Sequence, residues 1–225
     1  MSAIYRAVLL MLCSVSLYAG TEDRSLALYA GEASGLDASA TRSAQRELDR
    51  LLTPTGIDLV WKNLSTRNSS EEFHRIVVVS FDGSCSPTDA SMALGKLQSS
   101  DLTLADSSVS NGDVLPFFRV DCTHLAQLLA PSLRTMNEKD RSSAFGRALG
   151  RVMAHEIYHI IGETTEHQTR GVAKAALSVQ DLLGNTLDFD IASLTQMRPP
   201  MPTVSVARSY VRPATGRDTE KVREP

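Results

Sequence analysis

The stretch AHEIYHIIGETTEHQTRG, residues 154 to 171, holds three of the chain's five histidines, with a glutamate directly after the first. Residues four apart on an α-helix lie one above the other on the same face. His155 and His159 can therefore both reach one ion about 2 Å from each nitrogen. Glu156 lies one step round the helix, close enough to touch a water on that ion without being a ligand, which is where a general base has to sit. A metal lowers the pKa of its water towards about 7 and polarises a carbonyl, while a neighbouring carboxylate carries the proton to a leaving group. The spacing points to Zn2+ and to hydrolysis.

A catalytic zinc takes three protein ligands and keeps one position open. For the third, the near candidates are Glu163, Glu166 and His167, and the distant ones include Asp181 and Asp188. Gly162, three residues after the second histidine, can adopt the left-handed conformation that ends a helix and turns the chain back. Imidazole suits zinc well and His167 has room to return, so it is favoured, with the two glutamates as alternatives. The helical position of Tyr158 points to packing rather than to an oxyanion contact. His74 and His124 have metal spacing to nothing, and Asp23 or Asp37 could cover a zinc in a latent form.

The site needs elements to position it. Leu149, Val152, Met153, Ile157, Ile160 and Ile161 form the apolar face of a long helix from about Asn137 to Ile161. Upstream, Ala44, Leu48, Leu51 and Leu52 recur at helical spacing until Pro54 and Gly56 end the run. IDLVWKN alternates as a half-buried strand does, and RIVVVSF reads as a central strand buried on both faces. LTLADSSVS and DVLPFFRVD flank Asn111-Gly112, a hairpin signal, and Pro116 puts its strand at an edge or a bulge. Asp121 can cap a short helix carrying Leu125, Leu128 and Leu129. GVAKAALSVQDLLG and DIASLTQMR read as two more helices, the first closed by Gly184.

With these residues in hand, HEIYHIIG followed by a histidine resembles the metzincin zinc metallopeptidases. Their pattern is His-Glu-x-x-His-x-x-Gly-x-x-His before a methionine-containing turn. His155, Glu156, His159 and Gly162 match; the family's third-ligand position falls on Thr165, two residues before His167, and Ala173 stands where the turn methionine would be. GETTEHQTRGVAKAAL is also similar to a group of secreted bacterial proteins with the histidine in this later place. The resemblance implies an α+β fold: a small mixed sheet with a backing helix, the long metal-binding helix, then a small helical C-terminal subdomain. It also implies that an edge strand pairs with an extended peptide or protein substrate.

The whole chain sets the outer limits. A formal net charge of −3, with no basic stripe, excludes a nucleic-acid partner. Residues 1 to 20 have the order of a signal peptide, with Arg6, an apolar run and then Ala19-Gly20, and the run is too short for a comfortable membrane span. Its removal takes Cys13 and leaves Cys85 and Cys122, which in an exported chain are expected to form a disulfide worth about 3 to 4 kcal/mol. The expected organisation is a signal at 1–20, a loose lead-in at 21–37, a zinc peptidase-like domain at 38–197, and a Pro-rich tail at 198–225 that holds five of the nine prolines. Export places the chain in the periplasm or outside the cell. The rival reading is a zinc-binding envelope protein of little or no activity that uses the same scaffold to bind a partner.

Overall fold

The structure, a computed structural model, describes residues 24–66, 71–87 and 103–198. The proposed signal at 1–20 and all but the first residue of the Pro-rich tail lie outside them. The order is β1 (Ser25–Ala30), α1 (Ala38–Leu52), β2 (Asp58–Asn63), β3 (Arg75–Asp82), β4 (Ala105–Ser110), β5 (Asp113–Asp121), α2 (Cys122–Leu133), α3 (Glu138–Ile161), α4 (Val179–Leu183) and α5 (Ile191–Met197). The five strands form one mixed sheet in the order β2-β1-β3-β5-β4, parallel except for the β4–β5 hairpin. This is the expected α+β architecture, with α1 and α3 as its main helices and α4 and α5 as the small C-terminal pair.

Two strand readings need correction. The supposed loose lead-in contains β1, which pairs with β2 on one side and β3 on the other, and Leu26 to Tyr29 are each at most 3% exposed. SLALYA is short and half alanine and serine, so its apolar content understates a strand whose stability comes from two parallel neighbours. β3 is central but buried on one face only, since Val77 and Val79 are buried while Ile76 is 46% exposed. β-Branched residues suit an open pleated face as well as a covered one. Of the two places expected for Pro116, an edge or a bulge, it takes the second: it lies inside β5 opposite the register shift between Ser107 and Val109, where a missing donor breaks no ladder bond. Of the hairpin strands β4 is the one at the sheet edge, and β2 forms the opposite edge.

The main helices approach each other closely. Gly146 and Gly150, one turn apart on α3, face Ala40 and Ala44 of α1, and a Cβ on Gly150 would lie 2.7 Å from the Ala44 carbonyl oxygen. Asp37 does not cover any metal site. It caps α1 by accepting from the Ser39 and Ala40 N–H groups at 2.7 and 2.9 Å, and it also accepts from the Ser142 hydroxyl of α3. Asn137 caps α3 through the Asp140 N–H, and Asp121 caps α2 through the His124 N–H. Asn111 and Gly112 both have positive φ, as the hairpin requires.

Cys85 and Cys122 are disulfide-bonded, with their Cα atoms 4.6 Å apart and both residues fully buried. The bridge ties the loop after β3 to the start of α2.

Candidate metal centre

Helix α3 carries His155, Glu156 and His159 on the side turned to the β4 strand and the loop beyond Gly162. The chain does return as the spacing requires, although a different residue makes the turn. Gly162 keeps a helical conformation (φ −77, ψ −6) with its N–H on the Tyr158 carbonyl, and Glu163 takes the left-handed one at φ 48. Gly162 is needed for space instead: a Cβ there would lie 2.9 Å from Cγ of Gln196, whose amide donates to the Gly162 carbonyl.

The return brings His167 to the other two. One ring nitrogen from each of His155, His159 and His167 lies within 4.8 Å of the rest, and the His155 and His159 Nε2 atoms are 3.2 Å apart. Both Nδ1 atoms contact main-chain carbonyls at 2.8 Å, His155 that of Val172 and His159 that of Thr164. A carbonyl can only accept, so each Nδ1 carries the proton and each neutral imidazole directs its lone pair through Nε2. Burial is the largest effect lowering both pKa values, that of His155 to about 4 despite the Val172 hydrogen bond, so the rings stay neutral at neutral pH.

Two lone pairs facing each other across 3.2 Å repel. A cation between them removes the repulsion, and the separation matches the edge of a tetrahedron with bonds of about 2.0–2.1 Å. The donor set therefore fits a zinc ion. The carboxylates weighed as ligands are engaged elsewhere: Glu163 with Arg75, Asp188 with Arg50, and Asp181 with Lys174 and Ser178, while Glu166 is exposed.

Glu156 is 5% exposed, and Oε2 accepts from the Ser107 hydroxyl of β4 at 2.7 Å. Burial pushes its carboxyl up to about 7. Hydrogen bonds from Ser107 oppose that rise, and the nearby Asp106 charge adds to it. Such a group can hold or release a proton near neutrality, as an acid–base residue must. Tyr158 is 1% exposed and its hydroxyl accepts from the Gln168 amide, in keeping with a packing role. His74 lies apart from the cluster, and His124 contacts the Thr103 carbonyl.

Residues 171–178 are not the expected helix; only Val179–Leu183 is helical. The Ala173 carbonyl accepts from Gln168 N–H, the Val172 N–H donates to Asp188, and the Val172 carbonyl receives His155, so these groups are spent on neighbours instead of an intrahelical ladder. Ala173 is fully buried there. Gly184 ends α4 in an extended conformation, not a left-handed one. A cavity of about 780 Å3 opens beside the histidines, walled by β4 residues such as Ser107 and Val109, by Val152 of α3, and by residues 175–179.

The chain is similar in fold to archaemetzincin from Methanopyrus kandleri. Against its crystal structure the TM-score is 0.45 with 13% sequence identity, over 77% of this chain and 92% of the other. No protein-family model matches the sequence, and no curated protein matches it.

Sequence reasoning missed Ser107, Val172 and Thr164. The last two act through main-chain carbonyls, which leave no mark in residue type. Ser107 sits in a polar strand, ADSSVS, where three serines look alike until the register is known.

Proposed function

We propose that this protein is a zinc-dependent endopeptidase whose zinc is held by His155, His159 and His167 and whose general base is Glu156. The observation that carries the reading is the pair of Nε2 lone pairs 3.2 Å apart, each fixed by a carbonyl behind it, with a third imidazole beside them. A zinc ion there supplies a Lewis acid that polarises the scissile carbonyl and acidifies a water molecule. Glu156 takes a proton from the attacking water and delivers it to the amine nitrogen as the peptide C–N bond breaks. Among the described residues β4 has no neighbour on its outer edge, and that ladder can receive an extended peptide and line it up along the cleft. Export of the chain is supported by the buried Cys85–Cys122 disulfide, which is at home in an oxidising compartment. No described helix is long and apolar enough to cross a membrane.

Elemental analysis of purified protein tests the ligand set. We expect one zinc per chain, lost in His167→Ala and kept in Glu163→Gln and Glu166→Gln. Wild type should cleave members of a broad peptide library, and a chelator should abolish the cleavage. No zinc after reconstitution, or bound zinc with no cleavage of any peptide, rejects the reading.

A further inference from the structure

Glu156 depends on a residue from a different element. Its carboxylate is buried beside the candidate zinc ligands, and among the described residues the Ser107 hydroxyl is the only side-chain donor to it, at 2.7 Å. That is the short separation of a charge-assisted O–H···O− bond. The same hydroxyl lies 3.5 Å from the Glu156 main-chain carbonyl, so it sits against the helix backbone as well as the carboxylate. The strand is specialised at this point. β4 and β5 pair in register as far as Ser107 with Phe118, and the next pair is Val109 with Val114. One β4 residue thus faces three of β5, including Pro116, and such irregularities re-aim a side chain and increase local twist.

We propose that Ser107 is a positioning residue for Glu156: the edge strand fixes Oε2 through the serine hydroxyl and leaves Oε1 to carry the proton. The inference rests on the hydrolytic reading above. It also links substrate to base, because the strand that would pair with an extended peptide is the strand that holds the carboxylate. A peptide seated on β4 is then registered against the proton acceptor by one rigid element, without a mobile loop between them.

The test compares Ser107→Ala, Ser107→Val and Ser107→Thr in the zinc-loaded protein. Valine and threonine have nearly the same shape and differ in the hydroxyl. We expect kcat to fall about 10- to 100-fold in the alanine and valine variants, as displaced catalytic groups do, with KM within about twofold and threonine restoring most of the rate. Unchanged kcat in Ser107→Ala, or equal losses in valine and threonine, overturns the proposal. A second readout needs no activity: a double-mutant cycle of Ser107→Ala and Glu156→Ala by urea unfolding of metal-free protein. Coupling of at least about threefold in the unfolding constant is expected, and additivity overturns the contact. Zinc-loaded wild type that cleaves nothing rejects the hydrolytic reading instead, and the cycle still decides whether the two residues act as a pair.

Discussion

Helix α3 buries charged or polar side chains in two successive stretches, and they are treated in opposite ways. At Arg151 the guanidinium is fully buried. Nε pairs with Glu47 of α1 at 2.7 Å, and Nη1 donates to the carbonyls of Asp181, Leu182 and Gly184 around α4; Nη2 has no partner among the described residues. One turn later, His155, Glu156 and His159 are braced from behind, yet present Nε2 lone pairs and a carboxylate oxygen to the cleft. The first stretch spends most of its hydrogen-bonding capacity in joining α1, α3 and α4, and Nη2, left over, is sealed in the interior. The second keeps some in reserve. A buried polar group whose bonds run to neighbouring elements is a brace, whereas one held in place with capacity directed into an open cavity is poised for a ligand.

Substitutions should separate the two. Glu156→Ala should lower kcat by about 10²- to 10⁴-fold, the range for a lost acid–base group, while zinc content stays at one per chain and the urea midpoint holds or rises. A clear fall in that midpoint would make Glu156 a structural residue and erase the contrast. Arg151→Met should cost about 3–5 kcal/mol in urea unfolding, because the Asp181, Leu182 and Gly184 carbonyls lose their donor and Glu47 keeps only Arg50, and adding Glu47→Leu should recover part of the loss. If the double variant is no more stable than the single, the pair is not the reason Arg151 is there. Gly150→Ala tests the close helix approach beneath both stretches, with about 1–3 kcal/mol expected from thermal denaturation as the new methyl meets the Ala44 carbonyl.

The smallest effect is on acid stability. Burial raises the carboxyl pKa of Glu47 and of Asp181, but hydrogen bonds outweigh it: from Arg50 and Arg151 to Glu47, and from Lys174 and Ser178 to Asp181. Both end below their ordinary values of 4.5 and 3.8. The folded state therefore binds fewer protons than the unfolded chain in that range. The stabilisation is present above the ordinary values and is lost as pH falls through the lower, folded ones. Denaturation midpoints should drop below about pH 4.5 in wild type, and the drop should shrink in Asp181→Asn.

Local signals carried much of this arrangement. Asn137, Asp121 and Asn111-Gly112 mark a helix start, another helix start and a hairpin by side-chain chemistry alone, and all three stand where expected. The histidine spacing on α3 was legible for the same reason, since a helix converts separation in sequence directly into direction. What could not be read depended on distant partners. β1 is a strand because β2 and β3 flank it, residues 171–178 are irregular because their main-chain groups serve Gln168, Asp188 and His155, and Glu47 with Arg151 is a pair 104 residues apart. Gly162 invites a conformational reading by its type, yet it is glycine because Gln196 of α5 leaves no room for a side chain.

The segment from Gly162 to Ala173 does two jobs at once. Its Thr164 and Val172 carbonyls hold the rings of His159 and His155, and it carries His167 itself. With zinc held as proposed, ligand and scaffold would be one short piece of chain, so taking up the ion and ordering this segment would be coupled. Amide exchange along residues 163–172 is then a gauge of occupancy, slow with the ion and fast after chelation, while the body of α3 keeps its protection.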